Sequence, residues 1–202
     1  MTPMTEPDPG AETVEVRLGA YRPPVTPPVF EVADLAYVVE DTPVGRILLS
    51  CTDAGALVAS RFVPDDDAEA ALVDRLGRTL GPRVLRLPRA LDEARRQLDG
   101  YFAGRLRAFS LPTSLALATP FQRAVLGALG ESVPYGARTT YGELARLVER
   151  PSASRAVGAA LGANPLCVVL PCHRVVGSDG SPTGYAGGLA AKEYLLALEA
   201  RS

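Results

Sequence analysis

Tryptophan is absent from the 202-residue chain, and histidine occurs once, as His173. Cysteine occurs three times, at Cys51, Cys167 and Cys172. Three thiols are too few, and odd in number, for a disulfide framework, so the expectation is a reducing, cytoplasmic setting. With one histidine they also leave little for a structural zinc site, unless all four residues or added carboxylates join in. No run reaches the roughly 18 uninterrupted apolar residues of a membrane span. The opening MTPMTEPDPGAET has no basic start followed by an apolar stretch, so no secretory leader is read there. The expectation is a soluble protein with no metal, cofactor or membrane partner.

Lysine is also nearly missing, since 20 of the 21 basic residues are arginine. The net charge of -2 argues at first against nucleic acid. Its distribution is less hostile. Residues 1–118 carry 13 Arg against 17 Asp or Glu, whereas residues 119–202 carry 7 Arg and one Lys against 6 acids. A mildly basic second half can meet phosphates.

Residues 1–30 hold seven prolines and few large apolar residues and read as a disordered or loosely attached tail. Residues 31–110 read as a small α/β domain, an antiparallel sheet with helices. Leu35–Val39, Arg46–Cys51 and Ala56–Val63 are β-like, and Thr52-Asp53-Ala54-Gly55 is the turn of a hairpin. Asp67–Leu80 has helical spacing, with Ala71, Leu72, Leu76 and Leu80 on one face. Arg83–Leu87 reads as a short strand. Leu91–Phe102 reads as a helix whose buried stripe is Leu91, Ala94, Leu98 and Phe102. Residues 111–118 read as a linker.

Residues 119–202 read as a mainly helical domain. Thr119-Pro120-Phe121-Gln122 is a capping-box start, and Gly130 with Pro134-Tyr135-Gly136 is expected to end that helix. Tyr141–Glu149, and a second helix capped by Ser152 or Ser154 and running to about Leu161, are either a helix-turn-helix or an ordinary helical hairpin. Asn164-Pro165 closes the pair. Leu166–Leu170 reads as a short buried strand leading into Pro171-Cys172-His173-Arg174. A last helix spans about Leu189–Ala200, with Leu189, Tyr194, Leu196 and Glu199 on nearby faces.

Thiolate is the nucleophilic form of cysteine and is scarce at neutral pH, so Cys172 beside the only imidazole is a placement with chemical meaning. A third group can orient the imidazole, and Glu199 is a candidate. In an extended segment adjacent side chains point to opposite faces, so Cys172 and His173 need a turn or a bridging water to communicate.

Leu170-Pro171-Cys172-His173-Arg174-Val175-Val176 resembles the active-site signature of the O6-alkylguanine-DNA alkyltransferases. Further blocks stand in the family's order and spacing: Pro134-Tyr135-Gly136, Thr140-Tyr141-Gly142-Glu143-Leu144-Ala145, Arg155-Ala156-Val157-Gly158-Ala159, Asn164-Pro165 and Gly184-Tyr185-Ala186-Gly187-Gly188-Leu189. Thr42–Phe62 resembles the family's first hairpin. The resemblance covers about residues 35–200. It implies a DNA repair protein that moves an alkyl group from O6-alkylguanine, with O4-alkylthymine as a further substrate, irreversibly onto Cys172, once per molecule and without a cofactor. Cys172 would be the acceptor. His173 would take its proton through a water, with Glu199 polarising the ring, and Asn164 would brace the turn. Tyr141 would favour rotation of the nucleotide out of the duplex, and Arg155 would fill the gap. Tyr185 and Ala186 would line the guanine pocket, and the carbonyls of Cys172 and Val175 would accept from the base amine. The implied partner is double-stranded DNA, held in the minor groove by the helix-turn-helix, with the protein a monomer that can cluster on DNA.

Departures accompany the resemblance. Leu126 stands where many relatives carry Trp, in a position that should be core. Cys167 lies five residues before Cys172, as a second thiol near the site or a small hydrophobe. Two other classes stand as alternatives: a lesion-binding protein without chemistry, which the presence of Cys172 disfavours, and a cysteine hydrolase, which needs an oxyanion hole that nothing in the sequence requires.

Overall fold

Apolar residues on both faces of one central strand make the first half a three-layer unit. The structure is a computed structural model that describes residues 33–201. The tail expected over residues 1–30 lies outside them. Strands β1 (Leu35–Thr42), β2 (Gly45–Thr52) and β3 (Leu57–Phe62) form an antiparallel meander. A fourth strand, β4 (Val84–Arg86), adds parallel to β1, giving the order β3-β2-β1-β4. The expected antiparallel sheet is therefore mixed at one edge.

On β2, Ile47, Leu49 and Cys51 face helix α2 (Asp92–Phe102), while Leu48 faces helix α1 (Asp66–Leu80). Alternation along a strand sends neighbours to opposite sides, and here both sides are covered. Each fully buried Leu contributes on the order of 1.5–3 kcal/mol. On α1 the buried residues are Leu72 and Leu76, whereas Ala71 is exposed. On α2 the stripe is Leu91, Ala94, Leu98 and Tyr101. Phe102, expected there, is only partly buried. At 3.6 residues per turn both 101 and 102 fall near the face, and packing selects Tyr101.

The free edge of β3 is covered by two later segments, which closes an edge otherwise open to pairing. Leu57 N donates to Pro112 O at 2.8 Å and Ser114 N to Leu57 O at 2.9 Å. Further along, Ser60 N donates to Pro165 O and Cys167 N to Ser60 O, both at 2.8 Å, and Ser60 Oγ donates to Cys167 O at 2.8 Å. Leu166–Leu170 is thus not a strand, contrary to its apolar pattern. It makes one bridge to β3 and then reverses. Val168 sits at φ 71°, a left-handed conformation that costs a β-branched residue energy, and Leu170 N returns to Leu166 O at 2.7 Å. The same face of the sheet that packs on α2 also packs on Leu166, Val168 and Leu195, so the two halves share one core.

Helix α3 (Pro120–Ser132) opens with the expected capping box, Thr119 with Gln122. Gly130 does not stop it; the helix runs on, and a Cβ at Gly130 would be only in ordinary contact with Leu170. Leu126 is fully buried, as a core position requires. Helix α4 (Tyr141–Leu147) has a second capping box, Thr140 with Glu143, and ends two residues earlier than expected, with Glu149 at φ 58°. Helix α5 (Ser154–Gly162) follows, and neither Ser152 nor Ser154 caps it: its N-cap is Ala153, with no side-chain bond. Val125, Leu129, Leu144, Val157 and Leu161 join the three helices in one cluster. Short strands β5 (Thr139–Thr140) and β6 (Val175–Val176) pair in parallel and tie the segment after Cys172 to the start of α4. Helix α6 (Gly188–Glu199) buries Ala191, Lys192, Leu195, Leu196 and Glu199; Leu189 and Tyr194 are exposed. Among the described residues no helix is long and apolar enough to cross a membrane.

Thr140→Ala removes the cap that launches α4 and should cost about 1 kcal/mol of stability. A urea midpoint unchanged from the parent protein would contradict that assignment.

Candidate active site

Cys172, His173 and Arg174 form a single 3-10 turn at the end of the reversed segment. This replaces the extended geometry in which Cys172 and His173 would have diverged. All three are buried. Asn164 sits inside the turn, itself fully buried. Its Oδ1 accepts from Leu166 N at 2.9 Å, and its Nδ2 donates to Leu170 O at 2.9 Å and to Cys172 Sγ at 3.2 Å. One side chain therefore holds both ends of the loop and touches the sulfur. The Cys172 thiol is drawn below its ordinary range by a hydrogen bond with Cys167, the Asn164 amide and the charge of Lys192, which together outweigh burial.

His173 meets Glu199 from α6, with Nε2 at 2.9 Å from Oε1. Glu199 collects more donors than any carboxylate needs. Arg174 grips it with two bonds, Nε to Oε2 and Nη2 to Oε1, both 2.9 Å. Tyr101 donates to Oε1 at 2.7 Å, and Gly136 N to Oε2 at 3.1 Å. Burial alone would raise the Glu199 pKa, but the bonds from His173 and Arg174 prevail and bring it down to about 2. An anion opposite Nε2 obliges that nitrogen to carry the proton, leaving Nδ1 as the free base. Burial keeps the ring neutral, lowering its pKa against the pull of Glu199. Among the described residues, the buried side-chain polar atoms without a partner are His173 Nδ1 and Tyr185 Oη.

Cys172 opens into a cavity of about 450 Å³, lined also by Tyr141, Leu161, Gly158, Thr183, Tyr185 and Ala186. The wall is fixed by Lys192, wholly buried, whose Nζ donates to Val175 O at 2.5 Å and Thr183 O at 2.7 Å. Tyr141 Oη donates to the same Thr183 carbonyl at 3.0 Å. The wall also rests on the sheet: Tyr185 stacks edge-on against Phe62 at 5.5 Å. Gly187 lies so close that a Cβ there would stand 2.6 Å from the Phe62 ring. A larger groove of about 670 Å³ lies behind the turn, against Phe109, Tyr135, Leu170 and Pro171, but no thiol opens into it. Of these two, only the smaller cavity is bordered by a thiol.

The sequence-predicted residues divide into three groups. Cys172, His173, Asn164 and Glu199 stand together, and Tyr141, Tyr185 and Ala186 line the cavity. Val175 is fully buried, does not line the cavity, and its carbonyl already accepts from Lys192, so a further donor must use its second lone pair. Arg155 is exposed near the start of α5. Three residues were missed. Arg174 belongs to the quoted heptad and needed only to be counted as an ion-pair partner. Lys192 and Glu199 lie seven apart, two helical turns on one face, which a search for buried charge on α6 would find. Tyr101 carries no local signal, because only tertiary folding brings α2 to His173. Among the described residues no group of three His, Cys, Asp or Glu is placed to hold a metal ion.

Both parts of the chain match known proteins. Residues 120–201 match the family model described as 6-O-methylguanine DNA methyltransferase, DNA binding domain, and residues 35–115 match its ribonuclease-like domain. A methylated-DNA–protein-cysteine methyltransferase of Methanosarcina acetivorans is 39% identical over 170 residues, covering 81% of this chain and 97% of the relative. One from Mycolicibacterium paratuberculosis is 42% identical over 167 residues, covering 83% and 93%. The crystal structure of Mycobacterium tuberculosis OGT in complex with DNA matches with a TM-score of 0.70 and 37% identity, over 82% of this chain and 93% of that one.

The depressed pKa values of His173 and Glu199 set an acid limit. A group whose folded pKa is lowered stabilises the fold above its unfolded value, and that stability is lost as pH falls. Stability should therefore begin to drop near the ordinary histidine range and fall further down to about pH 2. Denaturant midpoints measured at stepped pH check this; a flat profile through the acid range would refute it.

Proposed function

The chain belongs to the 6-O-methylguanine DNA methyltransferase family, and from that premise we propose how its residues divide the work. Its activity is alkyl transfer from damaged DNA to a cysteine of the protein, a DNA repair reaction. The acceptor in our reading is Cys172. The observation that carries it is that Cys172 alone of the three thiols lines the cavity, beside the buried His173–Glu199 pair.

The thiol proton passes through water to His173 Nδ1, whose lone pair faces no protein partner. The imidazolium so formed is balanced by Glu199. The sulfur then attacks the alkyl carbon, the S–C bond forms, and the bond from carbon to guanine O6 breaks with its electrons remaining on the base. The product is a thioether, which nothing in the site can cleave, so each molecule acts once. O6 of a stacked guanine cannot reach a buried sulfur, so the nucleotide leaves the helix, a step costing a few kcal/mol. Tyr141, in the cavity wall, turns the nucleotide, and Arg155, exposed on the second helix of the α4–α5 pair, enters the duplex from the minor groove and takes the vacated place. The unpartnered Tyr185 Oη and the Cys172 and Val175 carbonyls are polar groups for the base edge. Six of the seven arginines after residue 118 are exposed, the exception being Arg174, and this supports phosphate contact despite the net charge. The protein works as a monomer in the cytoplasm and can gather along DNA.

Incubation with a duplex containing O6-methylguanine should add the mass of one methyl group, mapped to Cys172 and missing in Cys172→Ala. Tight binding of the lesion with an unchanged intact mass would refute the transfer. Arg155→Ala should slow repair in duplex by about tenfold or more, the scale of losing one such contact, while leaving the reaction with free O6-benzylguanine near parental. Equal slowing in both assays would remove Arg155 from the flipping step.

A further inference from the structure

Phe62 does not line the cavity of Cys172, yet it packs against the wall that does. Its backbone is held firmly at the end of β3. Phe62 pairs with Ile47, which is fully buried, and Val63 N donates to Arg46 O at 3.0 Å. Its ring meets Tyr185 edge-on, with centroids 5.5 Å apart and planes at 73°, a favourable aromatic geometry. The outer three atoms of the same ring crowd Gly187, where a Cβ would stand 2.6 to 2.8 Å from them. Gly187 has a φ of -89°, on the side that L residues adopt, so backbone conformation does not call for glycine there. The Phe62 ring does.

The walls of the cavity differ in how they are held. Tyr141 is tethered through its Oη to Thr183 O at 3.0 Å, and Lys192 fixes the same carbonyl at 2.7 Å. On the α5 side, where Gly158 and Leu161 face the cavity, Arg61 Nη1 donates to Asn164 O at 3.2 Å just beyond the helix. Tyr185 has no such tether, because its buried Oη lacks a protein partner among the described residues. Its ring stands where packing puts it, edge-on to Phe62 and to His173, whose centroid is 6.4 Å away. We propose that Phe62 is a specificity-determining residue of the transfer reaction. From outside the cavity it sets the position of Tyr185, and with it the size of the O6-alkyl group that reaches Cys172. This rests on Cys172 being the acceptor.

Discrimination by size needs little displacement. One methylene more or less in an apolar pocket changes a rate by about tenfold or more. A close-packed wall gives way only where a neighbour is removed. Phe62→Leu lacks the three outer ring atoms that meet Gly187 and shortens the support behind Tyr185. With no hydrogen bond to hold it, Tyr185 follows into that space and the cavity widens. Gly187→Ala acts in the opposite sense. It adds bulk behind the same wall and leaves it less room to yield, which costs the larger alkyl group more. Both changes act through one contact, so their effects are not independent. Once Phe62→Leu has removed the atoms that the new methyl would strike, Gly187→Ala has nothing to push against.

The test is the single-turnover rate of alkyl uptake, read by intact mass, from two duplexes identical except for O6-methylguanine or O6-benzylguanine. The duplex is common to both, so DNA binding cancels in the benzyl-to-methyl ratio of rates. Phe62→Leu should raise that ratio by about threefold to tenfold, less than the effect of a whole methylene. Gly187→Ala should lower it by about threefold or more in the parent, yet shift it by less than about twofold when Phe62→Leu is already present. Gly187→Ala leaves the sheet untouched and tests the contact from the other side if Phe62→Leu unfolds. Equal slowing with both substrates is the mark of a merely loosened fold and would overturn the proposal. So would an effect of Gly187→Ala that is the same with and without Phe62→Leu. A parent protein that takes up neither alkyl group would instead sink the assignment of Cys172.

Discussion

A single carboxylate organises the reactive half of this molecule. Glu199 is buried at the end of the last helix, where an unpaired charge would cost several kcal/mol. It is tolerable because four residues on three separate segments bring donors to it: Tyr101 from α2, Gly136 from the turn after α3, and His173 and Arg174 from the Cys172–Arg174 turn. Each of those segments is thereby fixed by the same two oxygen atoms. The positive φ of Gly136 follows, because its N–H must point at Oε2 while a Cβ would already stand 3.3 Å from the Glu199 carbonyl. So does the tautomer of His173, and with it the nitrogen left free to accept a proton.

The sheet has a comparable hold on the other side of the turn. The edge of β3 accepts residues 112–114 at one end and 165–167 at the other, and Phe62 at its tip supports the cavity wall through Tyr185 and Gly187. Nothing in the sheet reacts. It sets where Asn164 and Cys167 stand, and a displacement there reaches Cys172 through the Asn164 amide. The division into a scaffold half and a reactive half is therefore one of chain order and not of mechanics, since Ile47, Leu49, Val168 and Leu195 lie in one core.

Local patterns exposed much of this. The capping box at Thr119 and the hairpin over β2 and β3 depend on neighbours in the chain, and they appear as expected. The failures share a cause. Leu166–Leu170 has the composition of a buried strand, but it is buried by α2 and the sheet, and apolar composition does not reveal a reversal at Val168. The α2 stripe was off by one residue because two aromatics adjoin, and only His173 and Glu199, distant in sequence, favour Tyr101. Lys192 escaped notice because lysine is ordinarily a surface residue, and its burial depends on two carbonyls that no spacing predicts. At the site, the residues that cluster at Cys172 or line its cavity came from the quoted blocks and the last helix. Those that position them came from other elements and were not.

The seam along β3 also has a meaning in time. Ser60 waits for a partner 107 residues further on, and Glu199 follows His173 by another 26. Contacts this distant form late, after the local helices and hairpins. During synthesis the first half therefore emerges with its edge unfilled, and the cysteine emerges before the acid that orders its histidine. In our reading of the site, the thiol gains its reactivity only when the final helix docks. A protein that can spend its nucleophile once is thus unarmed while it is still being made.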